Sequence, residues 1–237
     1  MLYLISTPIG NLEDLTFRAL RVLREVTVIA AEDTRHTQKL CAHYGITTPL
    51  TSYHDFNKEG KTPVFLKRML EGDSIALVSD AGTPLISDPG YYLVTRAAAR
   101  NIPVVSIPGA SAVLAALASS ALPTDTFIFQ GFLPRQSGKR SRLLEHLANE
   151  PRTLIMFETP HRIERTLKAI QEAFGDRKVV LARELTKIHE EIIRGTAKDI
   201  LAGYRERGLK GEMTLIIEGK SRKNSKEANQ GPTQEKS

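Results

Sequence analysis

Two periodicities of apolar positions follow one another in the first half of the chain. Short apolar runs are typical of strands buried on both faces, and apolar residues spaced by three or four positions are typical of helices. Their alternation predicts a mostly parallel sheet with helices on both faces. The predicted strands are Leu2 to Ser6, Val26 to Ala31, Ile75 to Val78 and Val104 to Ile107. The predicted helices are one capped by Asp14 or Thr16 with Phe17, Leu20 and Leu23 on one face, then Thr34 to Tyr44, Val64 to Leu70, Gly90 to Arg100 and Ala110 to Ser120.

The second half has more strands, and several of them follow closely on one another. This spacing predicts a mixed or antiparallel sheet. The predicted strands are Phe127 to Phe132, Thr153 to Glu158, Lys178 to Leu185, Glu191 to Gly195 and Glu212 to Glu218. The predicted helices are Arg140 to Ala148, Arg162 to Phe174 and Ala197 to Glu206. We therefore expect two α/β domains, residues 1–121 and residues 122–219, divided at the segment Ala121 to Asp125.

Composition and charge indicate where the protein is located and what kind of partner it binds. The 237 residues are 41% hydrophobic and 25% charged, which is ordinary for a globular protein, and no apolar run has the roughly 18 residues of a membrane span. The single cysteine, Cys41, excludes an internal disulfide and predicts a cytoplasmic location. A net charge of +6 favours a polyanionic partner such as nucleic acid. Residues 220–237 form a basic, polar tail whose composition predicts disorder.

The segment from Ser79 to Gly90 is the most informative stretch of the chain. It follows the predicted strand Ile75 to Val78, and its prolines and glycines prevent a clean continuation as strand or helix. Open α/β sheets bind ligands at the carboxyl ends of their strands, so a stiff loop there predicts a binding site. An ordinary long turn has the same composition.

Four further segments follow predicted strands, and each also has a purely structural interpretation. Thr7 to Asn11 could be a plain turn, and Ala31 to His36 could be the start of a helix capped by Thr34. Pro108 to Ala112 could be a close helix contact, and Arg183 to Lys187 could form an exposed salt bridge. In the second segment, the Arg and His cations oppose the helix dipole, which the capping interpretation leaves unexplained. The segments are Thr7 to Asn11, Ala31 to His36, Pro108 to Ala112 and Arg183 to Lys187.

The common catalytic fingerprints are missing from the sequence. The six histidines have no metal-ligand spacing, no dinucleotide-binding glycine motif follows a strand, and no nucleophile elbow occurs. We therefore expect neither a metal nor covalent catalysis.

Taken together, the strand-end segments resemble those of the ribosomal RNA small-subunit methyltransferase I family, within the tetrapyrrole methylase superfamily. The resemblance covers Leu2 to about Gly219, and its strings occur in the family's order. They are Ser6 to Leu12, Ala31 to Arg35, Ser79 to Gly90, Arg183 to Lys187 and Lys210 to Met213.

The resemblance implies an activity, a cofactor and an assembly. These are methyl transfer from S-adenosylmethionine to a cytidine ribose 2′-oxygen in the decoding region of 16S rRNA, a cofactor cleft between two α/β domains, and a homodimer. It implies cofactor contacts at Pro8, Thr83, Ile86, Ser111, Ala112, Met156, Phe157, Leu185 and Gly211. The chain departs from the family at Ala110, where relatives often have proline, and in its polar tail, where many relatives have a helical extension that could contact RNA.

A ribose hydroxyl is a weak acid, so its methylation calls for a general base or a cation that stabilises the alkoxide. The candidates from the strand-end segments, which the sequence does not rank, are Glu32, Asp33, His36, Glu184 and Lys187. Basic positions that could bind RNA phosphates are Arg35, Arg135, Lys139, Arg140 and Arg142. The segment from Arg135 to Arg142 is interpreted as a basic loop, with the solvated start of a helix as the alternative.

Two other functions fit parts of the pattern. A corrin or porphyrin methylase would share the fold, although such enzymes usually begin with a loop richer in glycine than Thr7 to Asn11. A non-catalytic RNA-binding or assembly protein could retain the fold, but it would not need the Ser79 to Gly90 loop intact.

Overall fold

A computed structural model describes residues 1–208 and 210–221. The chain divides into two compact units, Met1–Ala112 and a second that begins at Val113. The boundary expected between residues 121 and 122 lies one helix further along the chain. Of the tail predicted to be disordered, residues 220–237, residues 222–237 lie outside the described residues, and Lys220 N donates a 2.7 Å hydrogen bond to Glu150 O.

The first unit contains a five-stranded sheet in the order β3-β2-β4-β1-β5, in which every neighbouring pair is parallel. The carboxyl ends of all five strands therefore lie at one edge, which we call the carboxyl edge. A short 3₁₀ turn, Leu12–Asp14, follows the first strand. The elements in chain order are β1 (Leu2–Ile5), α1 (Phe17–Glu25), β2 (Val28–Ala31), α2 (Thr34–Tyr44), β3 (Leu50–Ser52), α3 (Lys58–Leu70), β4 (Ile75–Val78), α4 (Tyr91–Ala98) and β5 (Val104–Ile107).

Helices cover both faces of this sheet, because successive side chains of its central strands enter different cores. In β4, Ile75 and Leu77 pack with Phe65 of α3, whereas Ala76 and Val78 belong to the core beneath α1 and α2. Every residue of β2 and β4 is buried. The continuous apolar runs of the sequence are explained by this two-sided burial.

The second unit contains a mixed five-stranded sheet in the order β6-β7-β10-β8-β9. Only β6 and β7 are parallel; the remaining neighbours are antiparallel. The elements are α5 (Ala112–Ser119), β6 (Phe127–Phe132), α6 (Ser137–Leu147), β7 (Thr153–Glu158), α7 (Ile163–Phe174), β8 (Lys178–Arg183), β9 (Glu191–Thr196), α8 (Ala197–Arg207) and β10 (Met213–Ile217). The predicted fold class, a parallel sheet followed by a mixed one, is confirmed.

Several local predictions were wrong. The strand β3 was not predicted, and α3 begins at Lys58 rather than Val64, because the helix continues through Pro63. Phe17 was placed on the buried face of α1 but is 93% exposed, since Ala19, Val22 and Leu23 supply the packing instead. The cap of α2 is the side chain of Asp33, which accepts from Arg35 N, rather than that of Thr34.

Candidate functional site

Three of the predicted segments are joined at the carboxyl edge of the first unit. The loop after β1 pairs with the loop after β4 through two backbone hydrogen bonds, from Thr7 N to Gly82 O (2.9 Å) and from Gly82 N to Thr7 O (3.0 Å). The Thr7 hydroxyl also donates to Ser79 O at 3.2 Å. The Ser79 to Gly90 loop is therefore fastened to the first strand's end.

Thr83 extends this connection to a third strand. Its hydroxyl shares a 3.0 Å hydrogen bond with the Ser6 hydroxyl and lies 3.4 Å from Ala110 O, in the loop after β5. That third loop approaches closely because Gly109 has no side chain, since a Cβ there would lie 3.0 Å from Ser6 Cβ. One threonine thus contacts both of the other predicted loops.

The backbone of the Ser79 to Gly90 loop is strained. Gly82 and Gly90 have positive φ angles of 78° and 137°, and the non-glycine residues Leu85 and Ser87 have φ of 75° and 68°. Such conformations cost about 1–3 kcal/mol each outside glycine and persist where surrounding contacts enforce them, often at ligand sites. The loop presents the Ile86 side chain, 43% exposed, to solvent.

A cluster of carboxylates lies at the same edge, around Glu32. Burial, together with the negative charges of Asp88, Asp80, Asp55 and Asp33, raises the pKa of Glu32 to about 7, and burial is the largest cause. A carboxyl group with a pKa near neutrality can accept and release a proton at physiological pH.

Asp80 and Asp88, both inside the strained loop, complete this cluster. The pKa of Asp88 is raised to about 6, because burial and the charge of Asp80 raise it by more than a hydrogen bond from Ser79 lowers it. Asp80 accepts a 3.0 Å hydrogen bond from Asp33 N, which links the loop to the start of α2. The pattern of strand ends placed Asp80 and Asp88 in the predicted loop without distinguishing them, and it gave no signal for Asp55, which follows the unpredicted strand β3.

Asp33 and Arg35 form an exposed ion pair beside this cluster. Arg35 Nη2 lies 2.6 Å from Asp33 Oδ2, and Arg35 Nε and N both bond Oδ1. These bonds hold the pKa of Asp33 far below its usual range, so Asp33 is a poor general base. His36, the next candidate, is exposed in the first turn of α2.

In the second unit, Glu184 and Lys187 form a clamp rather than a free acid or base. Glu184 Oε1 accepts from Lys187 Nζ (3.0 Å) and Glu212 N (2.9 Å), and Lys187 Nζ also contacts Glu212 Oε2 at 2.8 Å. Burial alone would raise the pKa of Glu184, but the bonds from Lys187 and Glu212 N and the nearby positive charges lower it overall. The backbone is again strained, with φ of 50° at Glu184 and 66° at Thr186.

The remaining candidates of the second unit differ in accessibility. Met156 is fully buried in β7, and Leu185 is 9% exposed. Phe157 is partly buried against Phe129 and Phe132, with ring centroids 4.9 and 5.6 Å away. Gly211 lies against Glu184, since a Cβ there would come within 2.3 Å of Glu184 Cδ.

Comparison with known proteins assigns this arrangement to a family. Residues 1–201 match the family described as Tetrapyrrole (Corrin/Porphyrin) Methylases. The Synechocystis protein named "Ribosomal RNA small subunit methyltransferase I" is 52% identical over 220 residues, covering 92% of this chain and 79% of that protein. The protein of the same name from Bacillus subtilis is 48% identical over 219 residues, covering 92% and 75%.

This chain belongs to the ribosomal RNA small subunit methyltransferase I family of tetrapyrrole methylases. Solved structures agree with the fold. Cobalt precorrin-4 methyltransferase has a TM-score of 0.67 at 21% identity, with 92% of this chain and 94% of that chain covered. The uroporphyrin-III C-methyltransferase of Thermus thermophilus, solved with S-adenosyl homocysteine, has a TM-score of 0.64 at 18% identity, with 92% and 96% covered. The family predicted from the sequence is confirmed.

The basic segment of this family member lies at the start of a helix. Lys139, Arg140 and Arg142 are in α6, so the loop interpretation was wrong and the alternative is confirmed. Arg135, Lys139 and Arg142 are exposed, whereas Arg140 is partly buried and its Nε has no hydrogen-bond partner among the described residues. No described residue forms an ion pair with any of the four, which leaves the three exposed cations accessible to an anion.

The carboxyl edge of the first unit fits the family's sulfonium cofactor. Glu32, Asp80 and Asp88 place negative charge together, and a cation would relieve the repulsion that, after burial, contributes to the raised pKa of Glu32. The neighbouring loop residues Pro8, Ser111 and Ala112 follow the ends of β1 and β5 at the same edge. Within residues 1–208 and 210–221, no group of three or more His, Cys, Asp or Glu side chains is arranged to hold a metal ion, and no helix is long and apolar enough to cross a membrane.

Proposed function

We propose that the protein transfers a methyl group from S-adenosylmethionine to the ribose 2′-oxygen of a cytidine in the decoding region of 16S rRNA. The proposal rests on sequence identity. About half of the aligned residues are identical to those of proteins named ribosomal RNA small subunit methyltransferase I, over more than nine-tenths of this chain. The net charge of +6 suits a polyanionic substrate. An rRNA substrate and a lone cysteine both suit a cytoplasmic protein.

In this proposal, Glu32 is the general base. The bound cofactor supplies an activated methyl group, so the protein must align the acceptor oxygen and remove its proton. Of the five candidates, Glu32 has a pKa raised to about 7, whereas Asp33 is ion-paired and Glu184 is held by Lys187 and Glu212 N. Glu32 accepts the hydroxyl proton as the oxygen–carbon bond forms and the sulfur–carbon bond breaks, and it later releases that proton to water.

The cofactor would be held by the strained loop and its fastened neighbours. Thr83 and Ile86 present their side chains from that loop, and Pro8, Ser111 and Ala112 belong to the adjoining strand ends. From the second unit, we propose contributions from Phe157, Leu185 and Gly211, and from the backbone of Met156, whose side chain is buried. We also propose that the protein is a homodimer, which light scattering on the purified protein would test.

The substrate class is tested by offering labelled S-adenosylmethionine with four acceptors: small ribosomal subunits, naked 16S rRNA, uroporphyrinogen and a precorrin. Label in either RNA sample, with both tetrapyrroles inert, supports the proposal. Label in a tetrapyrrole alone would make the protein a small-molecule methylase. RNA binding without cofactor binding would make it a non-catalytic RNA-binding protein.

A further inference from the structure

The first unit exposes three aromatic side chains, and all of them lie at its carboxyl edge. Phe17 is 93% exposed, Phe56 98% and Tyr91 74%. Each belongs to the turn or the first helical residue that follows a strand, namely β1 for Phe17, β3 for Phe56 and β4 for Tyr91. Single exposed apolar residues are common, but three aromatic rings at the edge that carries the candidate site point to a surface that contacts a ligand.

The turn that presents Phe56 is held rigidly. The Asn57 side chain accepts from His54 N at 2.9 Å and donates to Ser52 O and Ser52 Oγ at 3.3 and 3.1 Å. The backbone N–H groups of Asn57 and Lys58 both donate to His54 O at 3.0 Å. The backbone that carries the phenyl ring is therefore held in place, so ordering this turn would cost little conformational entropy when a flat ligand stacks on the ring.

A polar groove adjoins this turn. Its volume is about 550 Å³, within the usual range for ligand sites, and Ser52, which the Asn57 side chain contacts, is part of its wall. Leu50 is the one apolar residue among those that line the groove. The lining residues are Thr34, Arg35 and Gln38 from α2 and Leu50, Thr51 and Ser52 from β3.

Charge and hydrogen-bonding capacity indicate what the groove binds. Arg35 and Lys39 are one helical turn apart on α2, and Lys61 Nζ reaches Thr51 Oγ1 at 2.9 Å. Because Arg35 is already paired with Asp33, Lys39 and Lys61 are the cations that suit a phosphate backbone, and the Gln38 amide can both donate to and accept from the edge of a base. On the other side of the turn, the charge of Asp55 contributes to the raised pKa of Glu32, so the turn lies close to the proposed base.

We infer that Phe56 is a stacking platform for an unpaired base of the RNA substrate, with the adjoining nucleotide in the groove lined by Arg35 and Gln38. The inference rests on the proposed function and names a subsite of it. Sequence-specific recognition of RNA uses unpaired bases stacked on aromatic side chains, and one such contact is worth about 1–3 kcal/mol, or about 5- to 150-fold in affinity.

The absence of tryptophan from the chain provides a direct test. Phe56→Trp introduces a single indole at the proposed platform, and Leu70→Trp introduces one at the matched control position. Leu70 is 63% exposed at the end of α3, which leads to the amino end of β4 and so lies at the opposite edge of the sheet. A short single-stranded oligocytidine should quench the fluorescence of Phe56→Trp and leave that of Leu70→Trp unchanged.

Affinity gives the second measurement. Phe56→Ala should weaken binding of the fluorescein-labelled oligocytidine about 5- to 150-fold, whereas Phe56→Trp should bind within about twofold of the wild type. Because the ring is almost fully exposed, each variant at residue 56 should keep the melting temperature of the wild type. An unquenched indole, or a Phe56→Ala variant with wild-type affinity for the oligonucleotide, would overturn the inference.

Other occupants of this surface would leave different signatures. Weakened binding to ribosomal subunits with unchanged oligonucleotide affinity would assign the surface to a ribosomal protein, and a loss of self-association in Phe56→Ala would assign it to a second copy of the chain. Either result would overturn the stacking platform. Since fluorescence quenching needs no methyl transfer, quenching in Phe56→Trp together with a wild-type protein that transfers no methyl group would disprove the proposed function alone.

Discussion

The Ser6 hydroxyl lies 3.0 Å from the Thr83 hydroxyl, which ties the loop after β1 to the strained loop after β4. Thr83 also lies 3.4 Å from Ala110 O, so one side chain connects three strand ends. These contacts hold the loop in a backbone conformation that is costly at Leu85 and Ser87. The geometry of the proposed cofactor site therefore depends on a small polar side chain at residue 83.

Replacing Thr83 with a bulky apolar residue should abolish cofactor binding. Thr83→Leu removes the hydroxyl that both loops contact and adds volume where Ser6 and Ala110 approach. Isothermal titration calorimetry with S-adenosylmethionine would measure the loss, and Thr83→Ser, which keeps the hydroxyl, is the matched control. RNA affinity of Thr83→Leu should stay near that of the wild type. Normal cofactor affinity in Thr83→Leu would show that the loop does not hold the cofactor.

The general base should be visible in the pH dependence of the reaction. Glu32 must be ionised to accept a proton, so kcat/KM of the wild type should rise with pH through about 7, the raised pKa of this group. Glu32→Gln should lower kcat/KM by roughly 10²- to 10⁴-fold and remove that rise. Glu25→Gln, at an exposed position on α1, is the control. A Glu32→Gln variant with the rate and pH profile of the wild type would exclude Glu32 as the base.

The carboxylate cluster should also reduce stability at neutral pH. The pKa of Asp88 is about 6 in the folded protein against an ordinary value of 3.8, so the folded state binds the proton more tightly. Stability contributed by this group is present below about pH 4 and is lost as the pH rises through about 6.

Asp88→Asn should therefore raise the melting temperature by a few degrees at pH 8 and leave it unchanged at pH 4. Thermal unfolding at both pH values would measure this difference, with Asp125→Asn, at an exposed position before β6, as the control. A gain of equal size at the two pH values would be incompatible with a raised pKa at Asp88.

Gly211 should tolerate no side chain. A Cβ there would approach Glu184 Cδ within 2.3 Å, and its φ of 94° is unfavourable for other residues. Gly211→Ala should cost roughly 2–4 kcal/mol of unfolding free energy, from overpacking and backbone strain combined. Gly203→Ala, in α8 with open space around it, should instead stabilise by about 0.5–1 kcal/mol. Urea unfolding curves would compare the two, and equal stabilities would refute the close contact with Glu184.

The start of α6 should contribute phosphate contacts. Replacing Arg140 and Arg142 with alanine should leave cofactor affinity intact, weaken RNA binding and reduce the slope of log K against log salt by up to about 1.4. Removing two cations from α7 and α8, Arg165 and Lys198, controls for net charge. If the slope stays at the wild-type value, this segment does not contact phosphates.

The strands were the most predictable part of the fold. The bounds of β4, β5, β6 and β7 were all predicted correctly, because apolar runs between turn residues have few alternatives when they are buried. The strand β3 was missed because its three residues are only partly buried at the sheet edge and carry no periodic pattern. The spacing of Phe17, Leu20 and Leu23 predicted that Phe17 lies on the apolar face of α1, but in the structure it is exposed to solvent.

The chemistry of the site was less predictable. The segments were identified from their positions after strands. The cluster of Glu32, Asp55, Asp80 and Asp88 also depends on the strand order, because β2 lies between β3 and β4 in the sheet. Sequence separation places Asp88 far from Glu32, and only the sheet brings their charges together. Glu32 and Glu184 both follow strands, so the sequence does not distinguish them as bases. The structure does, because Glu184 accepts hydrogen bonds from Lys187 Nζ and Glu212 N.

The proposed reaction is methylation of a cytidine ribose in small-subunit rRNA. It is tested most directly by incubating the protein with S-adenosylmethionine and unmethylated small subunits, and then mapping the modified nucleotide by mass spectrometry of nuclease fragments. We expect one 2′-O-methylcytidine in a decoding-region fragment, formed by the wild type and strongly reduced with Glu32→Gln. A methyl group on a base, or no transfer to subunits or naked rRNA, would contradict it.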